Sequence, residues 1–466
     1  MQTSGSGYFD AAAGLPLHPV AVQALNAALA DGWADPARLT GAGRRSALLL
    51  DAAREAAAAE LGIRPDELIF LPSGAHALQA GVLGTLAGRQ RAGRRLVHSA
   101  VEHSTVFKAA DWQLAHGGET AVVEVDSLGR VDSARFLAEA SRPGTAAAAL
   151  QAANHEVGTR QPVAEIVAGL AAVGVPLVVD ASHELIYGEA PGNAPVFTAD
   201  ARLWGGPAGV GLLAVRRGSR WRSPSPADES ETGRALGVPN VPAIVAAVAS
   251  LRASRQHRTE QARRLSGLVE QIRQRVPELV PDTVVLGDPV DRLPHLVTFS
   301  CLYVDGEALL TELDRRDFAA SSGSSCTSDT LTPSHVLVAM GALTSGNLRV
   351  SLHPGVQQAD VERFLAVLPE VVSAVRGQAP GNSPQPARRS EAQLEVDSRG
   401  RRCPLPILDL ARALPDLPVG SELTVLADDP AAASDIAAWC RMTGQLLVSS
   451  TPGAAGATGY RVRRLH

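Results

Sequence analysis

Two of the four cysteines stand in surroundings suited to sulfur chemistry. Cys326 lies in the run Ser321-Ser322-Gly323-Ser324-Ser325-Cys326-Thr327-Ser328, followed by Pro333-Ser334-His335-Val336-Leu337. Alone, a Ser/Gly loop with one cysteine is an ordinary surface loop, but small residues also let a thiol stay exposed and reach a partner. Cys403 opens Cys403-Pro404-Leu405-Pro406. Proline suits the first helical position, so Cys403 is expected at a helix N-terminus, where unpaired N–H groups and the dipole favour a thiolate. Its pKa is therefore expected below the free value of about 8.5, in the sulfur-accepting form. Cys301, beside the apolar run Leu296-Val297-Thr298-Phe299-Ser300, and Cys440, after Trp439, read as buried core thiols.

The supply of amines is narrower still. Of 43 basic side chains, Lys108 alone is lysine. Arginine replaces lysine well as a solvated cation and fails where an amine must act as a nucleophile.

The elements that must carry these groups alternate apolar strand-like runs, such as Ala146–Gln151 and Leu177–Asp180, with amphipathic helical stretches over residues 20–376. That pattern predicts an α/β fold with a mainly parallel sheet, whose strand carboxyl ends are the usual place for ligands. Residues 377–390, with Pro380, Pro384 and Pro386 and no apolar period, read as a linker. Residues 391–466 then form a small α+β sandwich of βαβαββ order, with strands at 394–397, 422–427, 446–449 and 460–464 and helices at 404–414 and about 431–442. A length of 466 residues exceeds what one core fills. There is no apolar run of membrane-spanning length and no signal-like start, so a cytoplasmic protein with free thiols is expected. A net charge of -5 without a basic face argues against a direct nucleic-acid partner, and the lack of a membrane-length apolar run argues against a membrane.

In order along the chain, Phe9-Asp10-Ala11-Ala12-Ala13, Ser73-Gly74-Ala75, Val101-Glu102-His103-Ser104, Asn154-His155-Glu156-Val157-Gly158-Thr159, Val179-Asp180-Ala181, Gly237 with Asn240-Val241-Pro242, Val304-Asp305-Gly306-Glu307, the Cys326 loop and Leu348-Arg349-Val350-Ser351-Leu352 resemble the class V aminotransferase family, specifically its cysteine desulfurases. The resemblance covers about residues 8–372. It implies a type I pyridoxal-phosphate transferase-like large domain (about 20–250), a small α+β domain (about 1–19 and 251–376) and a homodimer. It further implies that Ser73, Gly74, His103, His155, Asp180 and His183 lie at the cofactor site, that Arg349 binds the substrate carboxylate, and that Cys326 carries persulfide. Cys403-Pro404-Leu405-Pro406, with Ala427-Asp428-Asp429-Pro430 and Asp435-Ile436, resembles the TusA sulfur carriers.

The departures cluster at the cofactor. The family's Ser-x-His-Lys before a Gly-Pro-x-Gly-Val-Gly turn is here Asp200-Ala201-Arg202-Leu203, which sets Leu203 at the lysine position. The threonine after Ser-Gly-Ala is His76, a glutamine near the ring-nitrogen aspartate is His183, and Gly-Thr of the inter-subunit loop is Gly237-Val238. The expected function is a sulfur relay from Cys326 to Cys403 with no certain cofactor, fed by an upstream persulfide donor or an active desulfurase and emptied by a downstream acceptor protein. Two alternatives stand beside it: a desulfurase that holds pyridoxal phosphate in another way, and a degenerate scaffold that pairs with an active desulfurase.

Overall fold

The computed structural model describes residues 7–323, 333–378, 388–390, 393–453 and 456–466. The chain divides into two compact units, one of Ala11–Ser266 with Asp288–His295, the other of Met1–Asp10, Gly267–Gly287 and Leu296–His466.

The first unit is built on a seven-stranded sheet: β1 (Leu68–Leu71), β2 (Arg95–Ser99), β3 (Glu119–Val123), β4 (Thr145–Gln151), β5 (Leu177–Asp180), β6 (Val196–Asp200) and β7 (Gly211–Val215). Their spatial order is β1-β7-β6-β5-β4-β2-β3. Only β7 runs antiparallel to its neighbours; the other pairs are parallel. Strand β4, Thr-Ala-Ala-Ala-Ala-Leu-Gln, is buried at every position. A parallel strand covered on both faces needs such a continuous run of small and apolar residues rather than alternation. Helix α1 (Gly74–Gly88) begins where Ser73 Oγ accepts the His76 N–H at 3.1 Å, and α2 (Ser104–Ala115) begins where His103 Nδ1 accepts the Thr105 N–H at 3.2 Å. Both caps stand at the starts of helices, where the first N–H groups lack backbone partners.

In the second unit, β8 (Thr283–Leu286), β9 (Leu296–Cys301) and β10 (Asn347–Ser351) form an antiparallel sheet in the order β10-β9-β8. The C-terminal sandwich adds β11 (Arg388–Ser390), β12 (Gln393–Asp397), α3 (Leu405–Ala413), β13 (Glu422–Ala427), α4 (Ala432–Thr443), β14 (Leu446–Pro452) and β15 (Thr458–Arg463), with sheet order β11-β12-β13-β15-β14. The βαβαββ order expected for it is present, with β11 added in front. Its alternation is clean in β13, where Leu423, Val425 and Ala427 face the core. Cys301 and Cys440 are both buried, as their apolar surroundings imply.

A polar knot braces the first loop of this sandwich. Asp409, whose side chain is 1% exposed, accepts from Ser398 Oγ at 2.7 Å and from Arg401 at 2.8 and 3.0 Å. Removing one partner of a buried ion pair leaves the other charge uncompensated, which costs about 3–5 kcal/mol. Arg401→Ala is therefore expected to lower unfolding stability by about 3 kcal/mol, measured by denaturant titration against Arg402→Ala, which removes an exposed side chain.

Candidate functional site

The parallel strands of the first unit deliver their polar residues to one edge, the carboxyl ends. His103 follows β2, His155 follows β4, Asp180 ends β5 with His183 just after it, and Asp200 ends β6. The imidazole centroids of His103 and His155 lie 5.6 Å apart, and those of His155 and His183 6.1 Å apart. Asp180 accepts from the Ser182 N–H at 3.0 Å and the Ser182 hydroxyl at 2.5 Å. Glu102, next to His103 in the chain and fully buried, accepts from Ser99 Oγ at 2.5 Å, and burial pushes its carboxyl up to about 8. Near neutral pH it is therefore mostly protonated. Among the described residues, no group of three or more His, Cys, Asp or Glu is arranged to hold a metal ion.

Ser73 and Gly74, Asp200 and Arg202 form a second cluster. Asp200 accepts from Arg202 at 3.0 Å and caps the short turn Ala201–Trp204 through the Arg202 N–H at 2.9 Å. Its carboxylate lies so close to the start of α1 that a Cβ added at Gly74 would come within 2.4 Å of Asp200 Cβ and 2.7 Å of Oδ2. Leu203 is buried, at 8% exposure. Lys108 lies on α2 with its side chain 77% exposed and its amine 3.6 Å from Asp111.

These residues do not fit pyridoxal phosphate bound as an imine. The strand ends offer no primary amine among the described side chains, and the one lysine faces solvent against Asp111. The turn that would receive a phosphate instead abuts a carboxylate already paired with the neighbouring guanidinium. Sequence reading marked Leu203 and Arg202 but not Asp200, whose approach to Gly74 joins residues far apart in the chain.

In the second unit, Arg349 on β10 is 3% exposed and donates to Asp10 at 2.8 Å. Cys326 lies outside the described residues; the approach to it ends at Gly323. That approach is anchored on β10: the Gly323 N–H donates to Asn347 Oδ1 at 2.7 Å, and Ser321 exchanges backbone hydrogen bonds with Arg349 at 2.7 and 3.2 Å. Asn347 Nδ2 in turn donates to the Thr344 carbonyl at 2.7 Å.

Cys403 is half-buried, and its N–H donates to Asp429 at 2.7 Å. The helix expected over 404–414 runs Leu405–Ala413, with Pro404 as its cap. The expectation of an acidic thiol is overturned. Burial, then the charges of Asp435 and Asp429 and a hydrogen bond to Asp435, push the Cys403 thiol far above its ordinary value. Desolvation and two carboxylates disfavour a thiolate more than one short helix favours it.

Asp435, fully buried on α4, accepts from Thr344 N at 2.6 Å, Thr344 Oγ1 at 2.8 Å and Ser345 N at 3.1 Å. Trp439 Nε1 donates to the Tyr303 hydroxyl at 2.9 Å, and Arg441 donates to the Gly341 carbonyl. Leu302 and Leu343 belong to the same buried cluster as the carrier's Ile407, Leu410, Ile436 and Trp439. The C-terminal sandwich thus packs through α4 on residues 302–303 and 341–345. No local sequence signal marks this contact.

A mainly parallel α/β sheet with its polar residues at the strand ends, followed by a small α+β sandwich, defines a two-part protein. The aminotransferase class-V family model matches residues 7–364, and that of sulfurtransferase TusA matches residues 394–464. The chain belongs to the aminotransferase class-V family, among the cysteine desulfurases, and carries a C-terminal TusA domain. It is 32% identical over 382 residues to a cysteine desulfurase of Nostoc sp., covering 80% of this chain and 94% of that one. To a cysteine desulfurase of Archaeoglobus fulgidus it is 30% identical over 379 residues, covering 80% and 98%. In fold it is similar to a NifS-like protein, with TM-score 0.74 at 23% identity over 79% of this chain and 100% of that one. The apo cysteine desulfurase of Thermococcus onnurineus gives 0.68 at 19% identity, covering 79% and 94%. No described helix is long and apolar enough to cross a membrane.

Proposed function

We propose that this chain relays sulfur: Cys326 accepts persulfide sulfur from a separate donor and passes it to Cys403, without pyridoxal chemistry of its own. The donor is an upstream persulfide protein or an active cysteine desulfurase, and a downstream protein takes the sulfur from the carrier. The observation that carries the reading is the stretch Thr344–Arg349. At one end Thr344 and Ser345 hold the carrier's Asp435, whose carboxylate is hydrogen-bonded to the Cys403 thiol. At the other, Asn347 and Arg349 hold Gly323 and Ser321. Cys326 follows Gly323 by three positions, a covalent span of at most about 11 Å. A donor thiol tethered there and a docked acceptor share one anchor, which raises their effective concentration toward the millimolar range typical of short tethers.

The transfer is an exchange between like groups. The Cys403 sulfur gives its proton to the Asp435 carboxylate as it bonds to the terminal sulfur of the Cys326 persulfide, the persulfide S–S bond breaks, and the proton passes on to the released Cys326 sulfur. No net oxidant or reductant is needed.

Replacing Cys326 with serine is expected to lower loading of Cys403 by a protein persulfide donor by about a hundredfold or more, the scale on which tethering acts, while circular dichroism stays unchanged. Loading of Cys403 at the wild-type rate in that variant contradicts the relay.

A further inference from the structure

Taking Cys403 as the sulfur acceptor, as proposed above, we infer that the face formed by Leu302, Tyr303 and residues 341–345 holds the carrier while Cys403 is a neutral thiol and releases it once that thiol has become a persulfide anion.

The contact is built around one carboxylate. Asp435 is fully buried and takes three donors from Thr344 and Ser345. The same carboxylate is hydrogen-bonded to the Cys403 thiol, so the residue that latches the carrier also touches the reacting sulfur. A second carboxylate, Asp429, accepts the Cys403 N–H at 2.7 Å. The titratable groups facing the sulfur are thus Asp429 from the loop after β13, Asp435 from α4 and Tyr460 from β15. None of them is a cation. Such a site accepts a neutral S–H, which can donate to the carboxylate, and opposes a negative sulfur.

Loading changes both charge and size. When Cys403 takes a terminal sulfur from a donor persulfide, the donor's S–S bond breaks, a new S–S bond forms on Cys403 and the thiol proton leaves with the donor sulfur. The new terminal S–H is a stronger acid than a thiol and ionises where the thiol stays neutral. The side chain also lengthens by one sulfur atom. An anion beside a buried carboxylate is disfavoured steeply, and separation of the docked surfaces, which returns Asp435 to water, relieves it. The docking equilibrium is expected to fall on the order of a hundredfold. The surface thereby distinguishes an empty carrier from a full one and sends only the full one outward.

The test uses the full chain with Cys326→Ser, so that loading does not depend on the loop cysteine. Cys403 is loaded with a low-molecular-weight alkyl hydropersulfide, and the site of the added sulfur is verified by peptide mass spectrometry. Hydrogen exchange then reads the Thr344 and Ser345 amides, which donate to Asp435 only while the carrier is docked, together with α4. Loading is expected to remove their protection and thiol reduction to restore it; the same reagent on Cys403→Ser should change nothing. Asp429→Asn, which deletes one of the two facing carboxylates, should retain more protection when loaded. A fully loaded Cys403 with unchanged protection overturns this inference and leaves the acceptor reading standing. A Cys403 that takes up no sulfur overturns both.

Discussion

Incubated with pyridoxal phosphate and treated with borohydride, the purified chain is expected to retain no reduced cofactor, and with free cysteine it is expected to release neither alanine nor sulfide. The Leu203→Lys variant should behave the same way. Restoring an amine at 203 leaves the Asp200 carboxylate against Gly74 and Arg202 already committed to it. A phosphate entering that turn meets a like charge where it needs a cation. One such pair at about 4 Å costs about 4 kcal/mol at an effective dielectric of 20, roughly a thousandfold in affinity. Binding should appear only when Asp200→Ser and Arg202→His accompany Leu203→Lys, read as an absorbing, reducible adduct on residue 203. A reducible adduct on Lys108 in the unmodified chain would sink this account of the strand ends.

Cys403 should alkylate slowly at neutral pH, on the order of tenfold or more below an unperturbed cysteine of pKa about 8.5. Only the thiolate reacts, and burial with Asp435 and Asp429 holds the sulfur protonated. Its alkylation should therefore climb steadily as pH rises beyond the usual thiol range instead of levelling off. The linked stability has the matching sign: a thiol whose folded pKa is raised stabilises the fold at pH values below the unfolded value, and that contribution is lost as pH rises above it. Cys403→Ala should remove this part of the alkaline instability. Rapid alkylation that plateaus near pH 8 would instead restore the helix-terminus picture.

The contrast between the two cysteine expectations shows what sequence carries. The α/β alternation was legible because strands such as Thr145–Gln151 carry an unbroken apolar run, here Ala146 to Leu150, within one window. The carrier's element order was legible for the same reason, and its Cys-Pro-x-Pro marks the start of a real helix. The sign of the Cys403 shift was not. The helix effect is local, whereas Asp429 and Asp435 reach the sulfur by folding from 26 and 32 positions away. Likewise, Leu203 could be read by alignment, but the closed turn depends on Asp200 meeting Gly74 across the sheet. The docking of Asp435 on Thr344 joins residues 91 positions apart, with nothing periodic to announce it.

Sulfur is expected to travel from Cys326 to Cys403 within one chain. The most direct measurement is a time course of peptide mass spectrometry on the full chain, started by a persulfide donor protein and run at high dilution. The relay predicts that the Cys326 peptide gains one sulfur first, that the Cys403 peptide gains it as the first declines, and that the transfer rate is independent of chain concentration. Sulfur arriving on Cys403 before Cys326, or a rate that rises with concentration, would contradict it.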